Sequence, residues 1–105
     1  MEVIKMKDIT TKELAQKLKN GEKVNIIDVR EDDEVATGKI PGARHIRLGD
    51  LPDRVNELDK KEHYYIACRS GGRSSMACDL LTKQGFDVTN MTGGMLAWED
   101  EVEKE

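Results

Sequence analysis

A chain of 105 residues has room for one domain, read here as 1–105, and none for a second. With 37% hydrophobic and 36% charged residues it is composed like a globular protein, not a disordered one. A formal net charge of −4 excludes the broad basic face that nucleic-acid binding needs, although Arg44, Arg47, Arg69 and Arg73 make the middle locally basic and the acidity gathers from Glu99 to Glu105.

The first six residues, Met1 to Met6, contain no continuous apolar run, so neither a signal peptide nor a membrane anchor is expected. That places the chain in the cytoplasm, where thiols stay reduced, and makes Cys68 and Cys78 free thiols instead of a bridge. The two lie ten residues apart, a spacing of neither zinc nor thioredoxin type, and only His45 and His63 could assist. No metal site is expected.

Ile9-Thr10-Thr11-Lys12-Glu13-Leu14 begins a helix. Thr10 and Glu13 fit a capping box and Ile9 with Leu14 a hydrophobic staple. Leu14, Ala15 and Leu18 form its buried stripe, and Gly21 stops it. Val24 to Val29 is a nearly unbroken apolar run that suits a strand covered on both faces, ending in Asp28 and Arg30. Gly38 to Ala43 is a turn, a weak strand follows around His45 to Leu48, and Leu51 to Leu58 reads as a short helix. His63 to Ala67 is a further strand. A helix from about Ser74 to Gln84 turns Ala77, Leu80 and Leu81 inward and closes at Gly85. Phe86 to Thr92 forms the last strand, and a short helix runs from Gly93-Gly94 through Trp98. Strands alternating with helices predict an α/β domain with a mainly parallel sheet and helices on both faces. Phe86 and Trp98 are assigned to the core.

The segment Cys68-Arg69-Ser70-Gly71-Gly72-Arg73-Ser74 carries the chemistry. A cysteine directly after a buried strand and before a helix sits at the edge of the sheet where α/β proteins bind ligands. Two glycines free the following amides to turn toward its sulfur, and the helix N-terminus adds partial positive charge. Arg69 and Arg73 add full charges. Together these favour the thiolate, so Cys68 is expected to be a nucleophile with a depressed pKa, and the same donors would hold an anionic substrate. The bland alternative, an inert strand-end cysteine, is the ordinary fate of a free thiol; the glycines, the arginine and the strand–loop–helix setting weigh against it. For Cys78, inside the helix, the bland reading as a small buried hydrophobe prevails over a role as a resolving cysteine.

Four segments, in order and spanning almost the whole chain, resemble the single-domain rhodaneses. Asp28-Val29-Arg30-Glu31 resembles the family's first block, and Gly38-Lys39-Ile40-Pro41-Gly42-Ala43 its G-H-I-P-G-A turn. Cys68 to Ser74 resembles its C-x-x-G-x-R-S loop, and Gly93-Gly94 to Trp98 its closing G-G-x-x-x-W. The resemblance implies a three-layer domain around a central sheet of about five strands. It also implies thiosulfate sulfurtransferase activity: Cys68 takes the outer sulfur of a small anionic donor such as thiosulfate as a persulfide, then yields it to cyanide, a thiol or a protein. Arg69, Ser70, Gly71, Gly72, Arg73 and Ser74 would form the substrate loop, with Arg73 tying it together. Asp28 and Arg30 would form an ion pair that supports it. No metal or organic cofactor is implied, since the persulfide is itself the carrier. Lys39 stands in place of the family's histidine, and Val35 where an aromatic residue is common.

Three rivals remain. Phosphatases of related fold use a C-x5-R loop, whereas Cys68 to Arg73 is C-x4-R, a ring too short for phosphate. A non-enzymatic binding module would be expected to lack the cysteine. A protein partner, instead of free thiosulfate, could deliver the sulfur.

Overall fold

The computed structural model describes residues 7–104. Met1 to Met6, where the sequence was read for a leader, lie outside the described residues.

Five parallel strands form one sheet: β1 (Asp8–Ile9), β2 (Asn25–Asp28), β3 (Arg44–His45), β4 (His63–Ala67) and β5 (Asp87–Met91), in the spatial order β1-β5-β4-β2-β3. The sheet is therefore wholly parallel. Helix α1 (Thr11–Lys19) carries the expected capping box: the Glu13 N–H donates to Thr10 Oγ1 at 3.1 Å and the Thr10 N–H to Glu13 Oε1 at 3.1 Å. The remaining helices are α2 (Asp32–Val35), α3 (Leu51–Arg54), α4 (Gly72–Lys83) and α5 (Gly94–Ala97).

Alternation along the central strands splits the core into two layers. Ile27, Ile66 and Val88 face α4 and α3, meeting Ala77, Cys78, Leu81 and Leu51. Ile26, Ala67 and Met91 face the other way, meeting Leu14 of α1, with Met95 and Trp98 packed at the margin. Leu14 and Leu81 are fully buried, and each such leucine stabilises the fold by about 1.5–3 kcal/mol. Phe86 belongs to the core as expected, but Trp98 is only half-buried. Leu80 is likewise half-buried, packing on the layer from its margin.

Several elements differ from the sequence reading. The predicted strand around His45 to Leu48 keeps its sheet pairing only at Arg44–His45, and single bonds from the Ile46 N–H to the Asp28 carbonyl and the Leu48 N–H to the Val29 carbonyl, each 3.0 Å, replace the ladder beyond. The helix expected over Leu51 to Leu58 is one α turn between two 3-10 turns, Leu48–Asp50 and Val55–Glu57. Helix α4 starts two residues early, at Gly72, because Gly71 at φ 106° makes the turn into it. Strand β1 and helix α2 were not anticipated.

Among the described residues no helix is long and apolar enough to cross a membrane.

Candidate active site

Strands β2 and β4 are neighbours, and the chain leaves β2 toward β3 on one side but reaches β5 and β1 on the other side of β4. The order of connection thus reverses between β2 and β4. That switch point opens a crevice at the carboxyl ends of the strands, where open α/β sheets receive ligands. Asp28 ends β2, Cys68 follows β4, and both arrive there.

Cys68 is only 1% exposed, and its sulfur is enclosed by the loop that follows. The Gly71 N–H donates to Sγ at 3.0 Å, and Sγ lies 3.2 Å from the Ser74 hydroxyl, which is itself 3.1 Å from the Gly71 carbonyl oxygen. The hydroxyl has one proton to place. When the cysteine is a thiol, S–H points to Oγ and the hydroxyl donates to the carbonyl; once the sulfur ionises, the hydroxyl turns and donates to it. Burial pushes the Cys68 thiol up, but hydrogen bonds from the Ser74 hydroxyl and from the backbone N–H groups of Ser74, Gly71 and Ser70 outweigh it, and the thiol lies below its ordinary value. The amides of the loop and of the first turn of α4 do this work, as the sequence suggested.

Of the two arginines expected to add charge at the loop, Arg73 is engaged elsewhere. Arg73 pairs with Glu34 on α2, with bonds of 2.6 and 2.7 Å, so most of its charge is already matched, although it still feels the Cys68 sulfur. The Arg73 guanidinium draws the Glu34 carboxyl from 4.5 to about 2, against a burial that raises it. Arg69 makes no hydrogen bond or ion pair through its guanidinium among the described residues and remains the free positive charge beside the loop. Cys78 is wholly buried, and burial pushes its thiol up to about 12.

Asp28 and Arg30 form a buried ion pair. Arg30 Nη2 donates to Asp28 Oδ2 at 2.8 Å, Nε to both carboxylate oxygens at 3.0 and 3.1 Å, and the Arg30 N–H to Oδ1 at 3.0 Å. The same guanidinium donates to the carbonyls of Gly38 (2.8 Å) and Glu34 (3.4 Å). The pair thus fixes α2 and the turn, and its side chains reach the cysteine loop through the Glu34–Arg73 bridge. Sequence reasoning missed Glu34; its signal was the reciprocal pair Glu31-x-x-Glu34, which caps α2.

From the other layer, α5 locks the loop. Met95 N–H donates to the Cys68 carbonyl at 2.8 Å and Leu96 N–H to that of Arg69 at 3.0 Å. A Cβ on Gly94 would meet the Arg69 carbonyl oxygen at 2.3 Å and Ser70 N at 2.6 Å, so only glycine permits this approach. The paired glycines of the sequence are therefore part of the site.

A parallel α/β sheet with an ionisable cysteine in an amide-lined loop at its switch point defines a class of domain built for anionic or sulfur-centred chemistry. The chain belongs to the rhodanese-like domain family, whose model matches residues 10–101. It is 48% identical to the Bacillus subtilis protein named "Putative sulfurtransferase YtwF", over 94% of this chain and 96% of that one. It is 39% identical to a sulfurtransferase of Allochromatium vinosum, over 87% of this chain and 86% of its relative. A rhodanese-like domain protein of Staphylococcus aureus superposes with a TM-score of 0.90 at 46% identity, covering 95% and 99% of the two chains. These relationships support sulfur transfer as the general chemistry.

Proposed function

We propose that the protein transfers sulfane sulfur through a persulfide on Cys68, with thiosulfate or a similar small anion as donor and a thiol, a protein or cyanide as acceptor. The observation that carries this reading is the pair of partners on Sγ, the Gly71 N–H that donates to it and the Ser74 hydroxyl that turns to donate once it ionises, which favour a charged sulfur in a buried place. The Cys68 thiolate attacks the outer sulfur of thiosulfate, a new S–S bond forms, and the electron pair of the broken bond leaves on sulfite. The terminal persulfide sulfur then carries the negative charge, which donors of the same loop would stabilise. An acceptor thiolate then attacks that outer sulfur and Cys68 departs as the thiolate, so no oxidant or reductant is consumed.

In this reading Arg69 draws the donor anion in, Ser70, Gly71, Gly72 and Ser74 hold the sulfur, and Arg73 ties the loop to α2. Asp28 and Arg30 serve as scaffold. Two unbridged cysteines suit a reducing, cytoplasmic setting.

Intact mass after thiosulfate treatment tests the covalent step. The protein should gain about 32 Da, one sulfur, and Cys68→Ala should gain nothing. A wild-type mass that stays constant, or a gain that survives in Cys68→Ala, would overturn the assignment.

A further inference from the structure

Beside the cysteine loop lies an open cleft of about 490 Å³, within the range that small-ligand sites occupy. Arg69, Met95 and Leu96 of α5, Asp33, Thr37 and Val102 line it together. Arg30 and Glu34 also reach the cleft, but both are spoken for, by Asp28 and Arg73. Of the four charged residues lining the cleft, the two without a partner among the described residues are therefore one of each sign, Arg69 and the exposed Asp33. Leu96, 66% exposed, and Val102, 44% exposed, add an apolar lip.

That lip is held in place. Glu103 pairs with Lys39 through two backbone hydrogen bonds of 3.0 and 2.8 Å, and its carboxylate accepts from Lys39 Nζ and from the Gly42 N–H (3.2 Å). Lys39 is buried, its ammonium also donating to the Ala43 carbonyl at 2.9 Å. Val102 sits directly on Gly38, so close that a Cβ there would lie 2.9 Å from its Cγ2. The residue in which this chain departs from the family turn is thus the one that clamps the Val102 wall.

We infer that this cleft is the acceptor subsite, and that it takes a small amino-acid-type thiol whose carboxylate meets Arg69 and whose ammonium meets Asp33. The inference rests on the proposed persulfide at Cys68. The aliphatic stem of the thiol would lie on Leu96 and Val102, with its sulfur turned toward the cysteine loop. Transfer is balanced: the acceptor thiolate bonds to the outer sulfur, the Cys68 S–S bond breaks, and the persulfide leaves on the small molecule. A thiol with only one of the two charges leaves either Arg69 or Asp33 unanswered.

The test loads the wild type and Asp33→Asn with thiosulfate and follows loss of the added sulfur, by mass, on addition of cysteine, cysteamine or 3-mercaptopropionate. Comparing variant with wild type for each thiol cancels the thiol's own reactivity. Asp33→Asn should slow cysteine and cysteamine about fivefold, the scale of one partly exposed ion pair, leave 3-mercaptopropionate unslowed, and load no more slowly than wild type. An equal effect on all three thiols, or on none, overturns the subsite. If the wild type never loads, the proposed function fails, and the subsite is then read by titrating the unreactive S-methylcysteine by NMR. Saturable shifts at the Leu96 and Val102 amides, weakened about fivefold in Asp33→Asn, support it, and their absence overturns it.

Discussion

Cys68 titrates inside a ring whose members can be removed one at a time. Ser74→Ala takes away a hydroxyl that helps the thiolate and leaves the amides in place. A hydrogen bond to a charged group is worth enough that the midpoint of iodoacetamide alkylation against pH should rise by about one unit. Cys78 does not interfere, being buried and displaced to about 12. An unmoved midpoint would assign the depression to the backbone alone. Glu34 offers a test of opposite character. Its carboxyl falls from 4.5 to about 2 on folding, so its pairing with Arg73 stabilises the fold fully above about pH 4.5 and is lost as pH falls toward 2. Both side chains are partly exposed, so Glu34→Gln should cost only about 1 kcal/mol near neutrality in urea denaturation. The gap from wild type should close as pH drops through that window; a gap that persists at pH 2 would mean the amide disrupts something other than the ion pair.

At the scale of elements, the loop depends on what abuts it. Gly94→Ala forces a methyl onto the backbone of Arg69 and Ser70 at a φ of +59°, which L side chains rarely adopt. The strain should cost about 2–3 kcal/mol and shift α5 off the loop, loosening the Met95 and Leu96 bonds that set it. Cys68 alkylation should then lose its low-pH onset even where the protein is still folded. Gly49→Ala, with open space around it and no unusual φ, should be near neutral and serves as the control. An unaltered alkylation profile in folded Gly94→Ala would show that the loop keeps its shape without α5. The Gly93-Gly94 pair was legible in the sequence as a motif but not as a reason, because a sequence does not state which backbone comes within 3 Å of which. Helix α1 was legible to its capping box because every signal is local, within Ile9 to Gly21. Helix α2 was not: its four residues offer a single buried apolar side chain, Val35, and reciprocal caps and the long-range contacts of Arg30 and Arg73 hold it as well. Strand β1, two residues long, owes its existence to pairing with β5 far along the chain.

Over the whole molecule, the cysteine belongs to the layer that α4 covers, and its loop is bounded by α4 from that layer and α5 from the other. The parallel order and the position of Cys68 at a strand end followed from hydrophobic runs and the loop sequence, since both are consequences of pattern. The separation of duties among the charges did not follow, because it is tertiary: Arg73 is consumed by Glu34, Arg30 by Asp28, and Lys39 by Glu103. Yet the ring around Sγ is built from near neighbours in sequence, residues 70 to 74, and so should be insulated from the cores that carry it. Leu14→Ala in one layer and Leu81→Ala in the other should each cost about 2.7–5 kcal/mol through the cavity left behind. Neither change touches a donor to the sulfur, so at a temperature where both variants stay folded the alkylation midpoint should remain where the wild type has it. Leu81 is the sharper case, because it shares the layer of Cys68 and lies on the helix whose first turn supplies the Ser74 donors. If its loss moved the midpoint as far as Ser74→Ala does, the thiolate would depend on packing of the whole α4 layer, and the sulfur site could not be treated as a local device set on a stable sheet.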